Sequence, residues 1–308
     1  MKVVIEPEIT PHEPLLYDSS AVAESINGFS SLDETSCRFY EDRGYLLVRG
    51  GISTADVNAA KQTLSKMCFE EHPRCDSVYY EGMIRRQLAA VTAQSSEIDG
   101  SGSSEKLAMG YIAEDIPQLP PDLRARFVRK FMGFTHEYPA LGAIARNRQL
   151  VAAAARLCGP PVREFQDMAM IKPPGGREKP WHQDHAYFNL PIETRIVGVW
   201  IALDRVTPDN GCMYLLAGAH NDGPRTHFMR RDWQICDAEM LGCRSVCAPM
   251  DAGDVLLFDA KLPHGTPTNR SNEHRWAIQL HYVPADVAEV DERVRLDVFG
   301  NEGKNVSC

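Results

Sequence analysis

The chain lacks a run approaching the roughly eighteen apolar residues that a membrane span requires; its longest strongly apolar stretch lies near Ile196 to Leu203. It has no excess of positive charge either. Lys and Arg total 33 against 42 Asp and Glu, a net charge of -9, which argues against a general nucleic-acid binder because phosphate contacts need a basic surface. The stretch Met1 to Pro14 mixes acids and prolines where an export signal would carry an apolar core, so no export is expected and a cytoplasmic location is. Nine cysteines, an odd number, with no sign of secretion favour reduced thiols over a disulfide framework. Cys236, Cys243 and Cys247 fit no paired zinc-knuckle spacing and read as buried or loop thiols.

What is present is ordinary for a globular protein: 308 residues, 44% hydrophobic and 24% charged, enough to bury a sizeable core. Ser31 to Arg43 reads as a helix stopped by Gly44, Tyr45 to Val48 as a buried strand, and Ser53 or Thr54 as the cap of a helix through about Glu70. Residues 94–106, rich in Ser and Gly with little to bury, read as a mobile loop. Pro120 or Pro121 starts a helix expected to run to about Glu137, followed by two shorter helices through Cys158. From Arg163 the pattern changes to short strands separated by Gly, Pro, Asn and Asp turns, the mark of a sandwich or barrel. Composition alone supports an α+β class in one domain over 1–308: a mainly helical part over 1–162, a strand-rich core over 163–284 and a tail over 285–308.

The site candidates cluster in that strand-rich part. Trp181-His182-Gln183-Asp184 follows Pro173-Pro174-Gly175-Gly176, and in an extended segment His182 and Asp184 share one face while Gln183 faces the other. Pro263-His264-Gly265-Thr266 offers a second imidazole after an apolar strand, and Arg275 follows eleven residues later. Two His and one carboxylate form the facial triad that binds non-haem Fe(II) with open positions beside it. A three-ligand zinc hydrolase, or a binding protein that kept the barrel without catalysis, uses the same residues. Arg275 suits a carboxylate ligand, since a guanidinium is always charged and grips both oxygens.

Between these motifs lie Thr194 to Asp204, Asn210 to His220, Gly253 to Asp259 and Arg275 to Val283. Together, in this order, they resemble the phytanoyl-CoA dioxygenase family of iron- and 2-oxoglutarate-dependent oxygenases over about residues 163–284. The resemblance implies a double-stranded β-helix, a jelly-roll-like barrel with helices on one flank. It implies metal ligation by His182, Asp184 and His264, with 2-oxoglutarate and dioxygen (O2) at the open positions. Arg275 and Thr266 would hold the far carboxylate of the cosubstrate, and Gln183, Trp200 and Met168 would line it. The implied reaction oxidises a carbon of a small-molecule substrate, by hydroxylation first of all, as 2-oxoglutarate becomes succinate and carbon dioxide. Related halogenases carry a small residue where this chain has Asp184, so a carboxylate there points to an oxygenase outcome.

The remaining polar residues have blander readings. Lys172 is expected to be solvated, His185 to be near the metal ligands or substrate-facing, His220 near the active-site mouth, and His281 a satisfied interior group. Arg225, Arg230 and Arg231, with Arg85 and Arg86, would favour an anionic substrate if they border the pocket. Tyr79, Tyr80, Tyr187 and Phe188 are candidate walls. Residues 74–118 and 221–250 are expected to carry substrate selectivity, because loops on a rigid barrel do so.

Overall fold

The computed structural model describes residues 1–7, 11–19, 21–89, 116 and 119–300; the stretch expected as a loop at 94–106 lies outside them. Two short strands, β1 (Lys2–Ile5) and β2 (Ser25–Asn27), open the chain. Asp33 then accepts the backbone N–H of Ser36 at 2.8 Å and caps α1 (Glu34–Arg43). Gly44 ends this helix with φ +76°, a left-handed cap that favours glycine. The same position must stay bare, because an added Cβ would stand 2.5 Å from the His220 ring. β3 (Tyr45–Arg49) and α2 (Thr54–Phe69) follow, the latter capped by Ser53 as its sequence predicts.

The expected helix to Glu137 stops early. β4 (Ser77–Tyr80) precedes α3 (Pro121–Phe127), and the chain then becomes β5 (Val128–Met132). β5 pairs with β4 on one side and with β6 (Val162–Lys172) on the other, so ladder hydrogen bonds and cross-strand packing override local helix preference. The two shorter helices form as expected, α4 (Pro139–Ala145) and α5 (Arg148–Cys158).

The strand-rich part continues as β7 (Lys179–His182), β8 (Val197–Ala202), β9 (Met213–Leu215), β10 (His227–Met229) and β11 (Trp233–Ile235). After the short α6 (Asp237–Met240) come β12 (Val246–Ala248), β13 (Val255–Asp259), β14 (His264–Thr266), β15 (Arg275–Pro284) and α7 (Glu292–Phe299). One large sheet has the order β1-β4-β5-β6-β15-β8-β13-β3-β2, and a smaller one β12-β9-β14-β7. This is the α+β double-stranded β-helix, with the larger sheet drawing strands from both sides of residue 162.

Period-two alternation on the large sheet separates two cores. On β13, Val255 and Leu257 pack towards the helices while Leu256 and Phe258 pack between the sheets. Each such fully buried side chain contributes about 1.5–3 kcal/mol. β15 follows the same rule: Ile278, Leu280 and Tyr282 join the helix-side core. The alternate residues Arg275, Ala277, Gln279 and His281 therefore face the barrel interior. Of the described cysteines, all are free thiols except Cys236, which is disulfide-bonded, a departure from thiols throughout. Among the described residues no helix is long and apolar enough to cross a membrane.

Candidate metal centre and active site

β7 ends at His182, and Asp184 begins a one-turn 3₁₀ helix (Asp184–Tyr187). Gln183 between them is still extended, with φ −111° and ψ 129°, so alternation carries His182 and Asp184 to the same side even though the strand has ended. β14 pairs antiparallel with β7 and sets His264 directly opposite His182. The two rings lie 4.2 Å apart, centroid to centroid. His182 Nε2 stands 3.2 Å and His264 Nε2 3.6 Å from Asp184 Oδ1.

Each group is prepared for a cation. The Nδ1 of His182 donates to the Pro180 carbonyl at 2.7 Å and that of His264 to the Leu262 carbonyl at 2.9 Å, which leaves both Nε2 lone pairs free. Burial draws the His264 imidazole down to about 3, so it is neutral and able to ligate. Asp184 Oδ2 accepts from Gln279 Nε2 at 2.9 Å and His281 Nε2 at 2.8 Å, leaving Oδ1 towards the histidines. Burial alone would raise the Asp184 pKa, but the imidazoles of His264 and His281 and the bond from His281 hold it well below the carboxylate range. Among the described residues, this is the group of His, Cys, Asp or Glu whose ligand atoms converge within 4.8 Å. The donor set fits the metal triad.

A cavity of about 360 Å³ opens beside the triad. Arg275, Thr266, Trp200 and Met168 line it. Arg275 is 1% exposed, lies 5.0 Å over the Trp200 ring and leaves its Nε without a partner. Burial draws the Arg275 guanidinium down to about 10, still charged at neutral pH. Tyr79, Tyr187 and Phe188 form part of the wall. Tyr80 belongs instead to the helix-side core, the opposite face of β4.

Several expectations are corrected. Gln183 does not line the cavity. Its amide is spent on the Gly223 and Lys261 carbonyls and the Arg225 N–H, on the face that alternation predicts. Lys172 is not solvated: it is 5% exposed and donates to Thr266 Oγ1 and the Pro267 carbonyl. His185 faces neither metal ligands nor cavity and stacks on Phe299. His220 borders a different hollow beside Tyr40 and Arg195, where its Nε2 donates to the Glu41 carbonyl. Arg231 is buried against Glu178 and grips both oxygens of Asp237. Arg230 also pairs with Asp237 and Arg225 with Asp222, while Arg85 donates to backbone carbonyls of Ile5 and Glu6.

His281 is the satisfied interior group expected, bonded to Asp184 at 2.8 Å, but sequence reasoning missed that it and Gln279 both support that carboxylate. Gln279 and His281 follow Arg275 at even steps on one strand, so the alternation that exposed Arg275 to the interior would have placed them there too. It also missed Lys130, whose ammonium lies 3.8 Å over the Tyr79 ring, and the ion pairs of Glu6 with Arg177 and Asp232 with Lys179 at the cavity mouth. Lys130 lies on β5 and Glu6 just after β1, strands with no local signal, while Lys179 on β7 meets Asp232 from the β10–β11 turn. His227 was likewise unassigned; its Nε2 accepts the Gln183 N–H at 2.9 Å while its Nδ1 donates to the Arg225 carbonyl. Burial lowers it to about 3, consistent with that neutral tautomer.

The phytanoyl-CoA dioxygenase (PhyH) family model matches residues 40–277, well over half of the chain. Human peroxisomal phytanoyl-CoA dioxygenase is 25% identical over 282 residues, covering 85% of this chain and 73% of the relative. An Arabidopsis thaliana phytanoyl-CoA dioxygenase is 32% identical over 127 residues, covering 40% of this chain and 44% of the relative. Among solved structures, EctD from S. alaskensis with 2-oxoglutarate and 5-hydroxyectoine matches at TM-score 0.59 and 18% identity, covering 96% and 87% of the two chains. The epimerase SnoN from nogalamycin biosynthesis, in complex with Fe3+ and alpha ketoglutarate, matches at TM-score 0.60 and 17% identity over 84% and 86%. With the triad geometry, the match over most of its length makes this chain a member of the phytanoyl-CoA dioxygenase family of iron- and 2-oxoglutarate-dependent oxygenases.

Proposed function

We propose that the protein is an Fe(II)- and 2-oxoglutarate-dependent hydroxylase of a small molecule. In this reading His182 Nε2, His264 Nε2 and Asp184 Oδ1 hold the iron. Arg275 and the Thr266 hydroxyl take the far carboxylate of the cosubstrate, with Trp200 and Met168 as walls. The observation that carries the proposal is the pairing, in one cavity, of three converging ligand atoms with a buried guanidinium that has no carboxylate partner among the described residues. An unpaired buried charge is costly, and a dicarboxylate relieves that cost. When bound, iron with 2-oxoglutarate and dioxygen supplies the oxidising power to hydroxylate a substrate carbon, with succinate and carbon dioxide as coproducts.

The chain's own contribution is positional. Carbonyls of Pro180 and Leu262 fix both imidazoles, Gln279 and His281 fix the carboxylate, and Arg275 sets the orientation of the keto acid. Trp200 and Phe258 seal the interior against water. The substrate binds against Tyr79, Tyr187 and Phe188. An anionic substrate loses its original support, since Arg225, Arg230 and Arg231 are used in ion pairs of their own. The relatives' names include a phytanoyl-CoA enzyme, yet the apolar wall beside the triad suits many small molecules. The strands shared across residue 162 favour one working oxygenase unit rather than two.

The test is anaerobic addition of Fe(II) and 2-oxoglutarate, which should produce the weak visible charge-transfer band of the chelate. His182→Ala and Asp184→Ala should lose it, and Arg275→Met should keep it only at much higher 2-oxoglutarate. A wild-type protein that gives no band, or that turns over with zinc and no oxygen, refutes the proposal.

A further inference from the structure

Lys172 and Arg275 sit directly opposite one another on β6 and β15, and both are sealed from solvent. Like charges opposed across an antiparallel pair repel. Among the described residues, neither has a carboxylate oxygen within 4.0 Å of its cationic nitrogens. Lys172 instead spends its donors on Thr266 Oγ1 at 2.8 Å, the Pro267 carbonyl at 2.6 Å and the Thr266 carbonyl at 3.4 Å. Room for this comes from Gly211, where an added Cβ would stand 3.0 Å from Lys172 Cδ and 3.1 Å from Nζ. An ammonium has no lone pair, so the Thr266 oxygen must be the acceptor, and its own proton must go elsewhere. Among the described residues that proton meets no acceptor, and Thr266 lines the cavity beside Arg275.

We propose that Lys172 is a positioning residue for the cosubstrate: its ammonium holds the Thr266 hydroxyl so that the hydroxyl proton points at the carboxylate gripped by Arg275. This rests on reading the cavity as a 2-oxoglutarate site. Lys172 itself touches the cosubstrate only through Thr266. Burial first, and the charge of Arg275 second, draw the Lys172 pKa well below its ordinary value. A carboxylate arriving at Arg275 offsets the second cause and favours the ammonium that the geometry requires.

The experiment titrates the Fe(II)-loaded protein, without oxygen, with 2-oxoglutarate and with 2-oxobutyrate, which keeps the keto acid end and lacks the far carboxylate. Calorimetry reads binding directly, independent of turnover. Lys172→Met should weaken 2-oxoglutarate about 10- to 100-fold, the range for a lost charge-assisted contact, and change 2-oxobutyrate by less than about twofold. Thr266→Val should do the same, and the double variant should be no worse than Thr266→Val alone, because the two act as one unit. Lys172→Gln keeps a donor and should retain most of the affinity. Should Lys172→Met fail to fold, the comparison of Lys172→Gln with Thr266→Val decides: equal losses in both would overturn the proposal. So would unchanged 2-oxoglutarate binding in Lys172→Met, or equal loss for both ligands. If the wild type does not prefer 2-oxoglutarate over 2-oxobutyrate, the cosubstrate reading itself fails, a different outcome from wild-type selectivity that Lys172 does not influence.

Discussion

Removing the imidazole that steadies Asp184 should weaken the metal site without touching a metal ligand. His281 Nε2 donates to Asp184 Oδ2 at 2.8 Å, and Gln279 Nε2 donates to the same oxygen at 2.9 Å. Asp184 is only 5% exposed, so water is poorly placed to replace a lost donor. A hydrogen bond to a charged group is worth about 1.5–3 kcal/mol. At about 1.4 kcal/mol per factor of ten, His281→Leu should cost Fe(II) affinity roughly 10- to 100-fold, the range seen when partners of metal ligands are removed. Leucine keeps the apolar contacts that the ring makes with Phe188 and Phe258, so the fold should survive. Anaerobic calorimetry with Fe(II), or competition against a chelator, measures the loss. An affinity within about twofold of wild type in a folded variant would refute the reasoning, because the carboxylate would then need no external support.

Gln183→Leu should behave in the opposite way, leaving metal affinity intact while lowering stability by about 1–3 kcal/mol, the cost of unmet buried backbone groups; urea denaturation with a metal titration separates the two effects. Gly44→Ala should destabilise by at least about 1 kcal/mol from its left-handed backbone alone, and further from the His220 ring beside it, seen as an earlier denaturation midpoint. Lys130 titrates near about 8 in the folded chain against an ordinary 10.5, chiefly because burial disfavours its ammonium, with Glu6 opposing and Lys179 and Arg129 adding. Between those values the unfolded chain holds the extra proton, so the Lys130 contribution to stability grows as pH rises from about 8 towards 10.5. Wild type should accordingly gain in Tm relative to Lys130→Met across that window, and a difference that stays flat or shrinks contradicts the shift.

Where sequence reasoning succeeded, the signal was local. Gly44 and Ser53 announced their helix ends because capping depends on a few adjacent residues. The spacing of His182 and Asp184 placed both on one side because Gln183 between them stays extended. Gln183 shows the cost of letting a family likeness outrank that geometry, since alternation had already turned its amide away from the cavity. The helix forecast to Glu137 failed because β5 is a strand by virtue of its neighbours β4 and β6. Lys172 defied expectation because a lysine beside a proline loop carries no mark of being buried behind Thr266.

The sequence by itself determined the chemistry on offer: two imidazoles, a carboxylate and an arginine, each borne on a short element whose periodicity says which way it points. Only the tertiary structure decided which of them meet, because His182 and His264, 82 positions apart in the chain, become neighbours through a strand pairing. The same holds for the support around them. Gln279 and His281 reach Asp184, and Lys172 reaches Thr266, through contacts between segments about a hundred residues apart. Such contacts form when buried polar groups must find partners inside a packed barrel, a demand that no local stretch of sequence expresses.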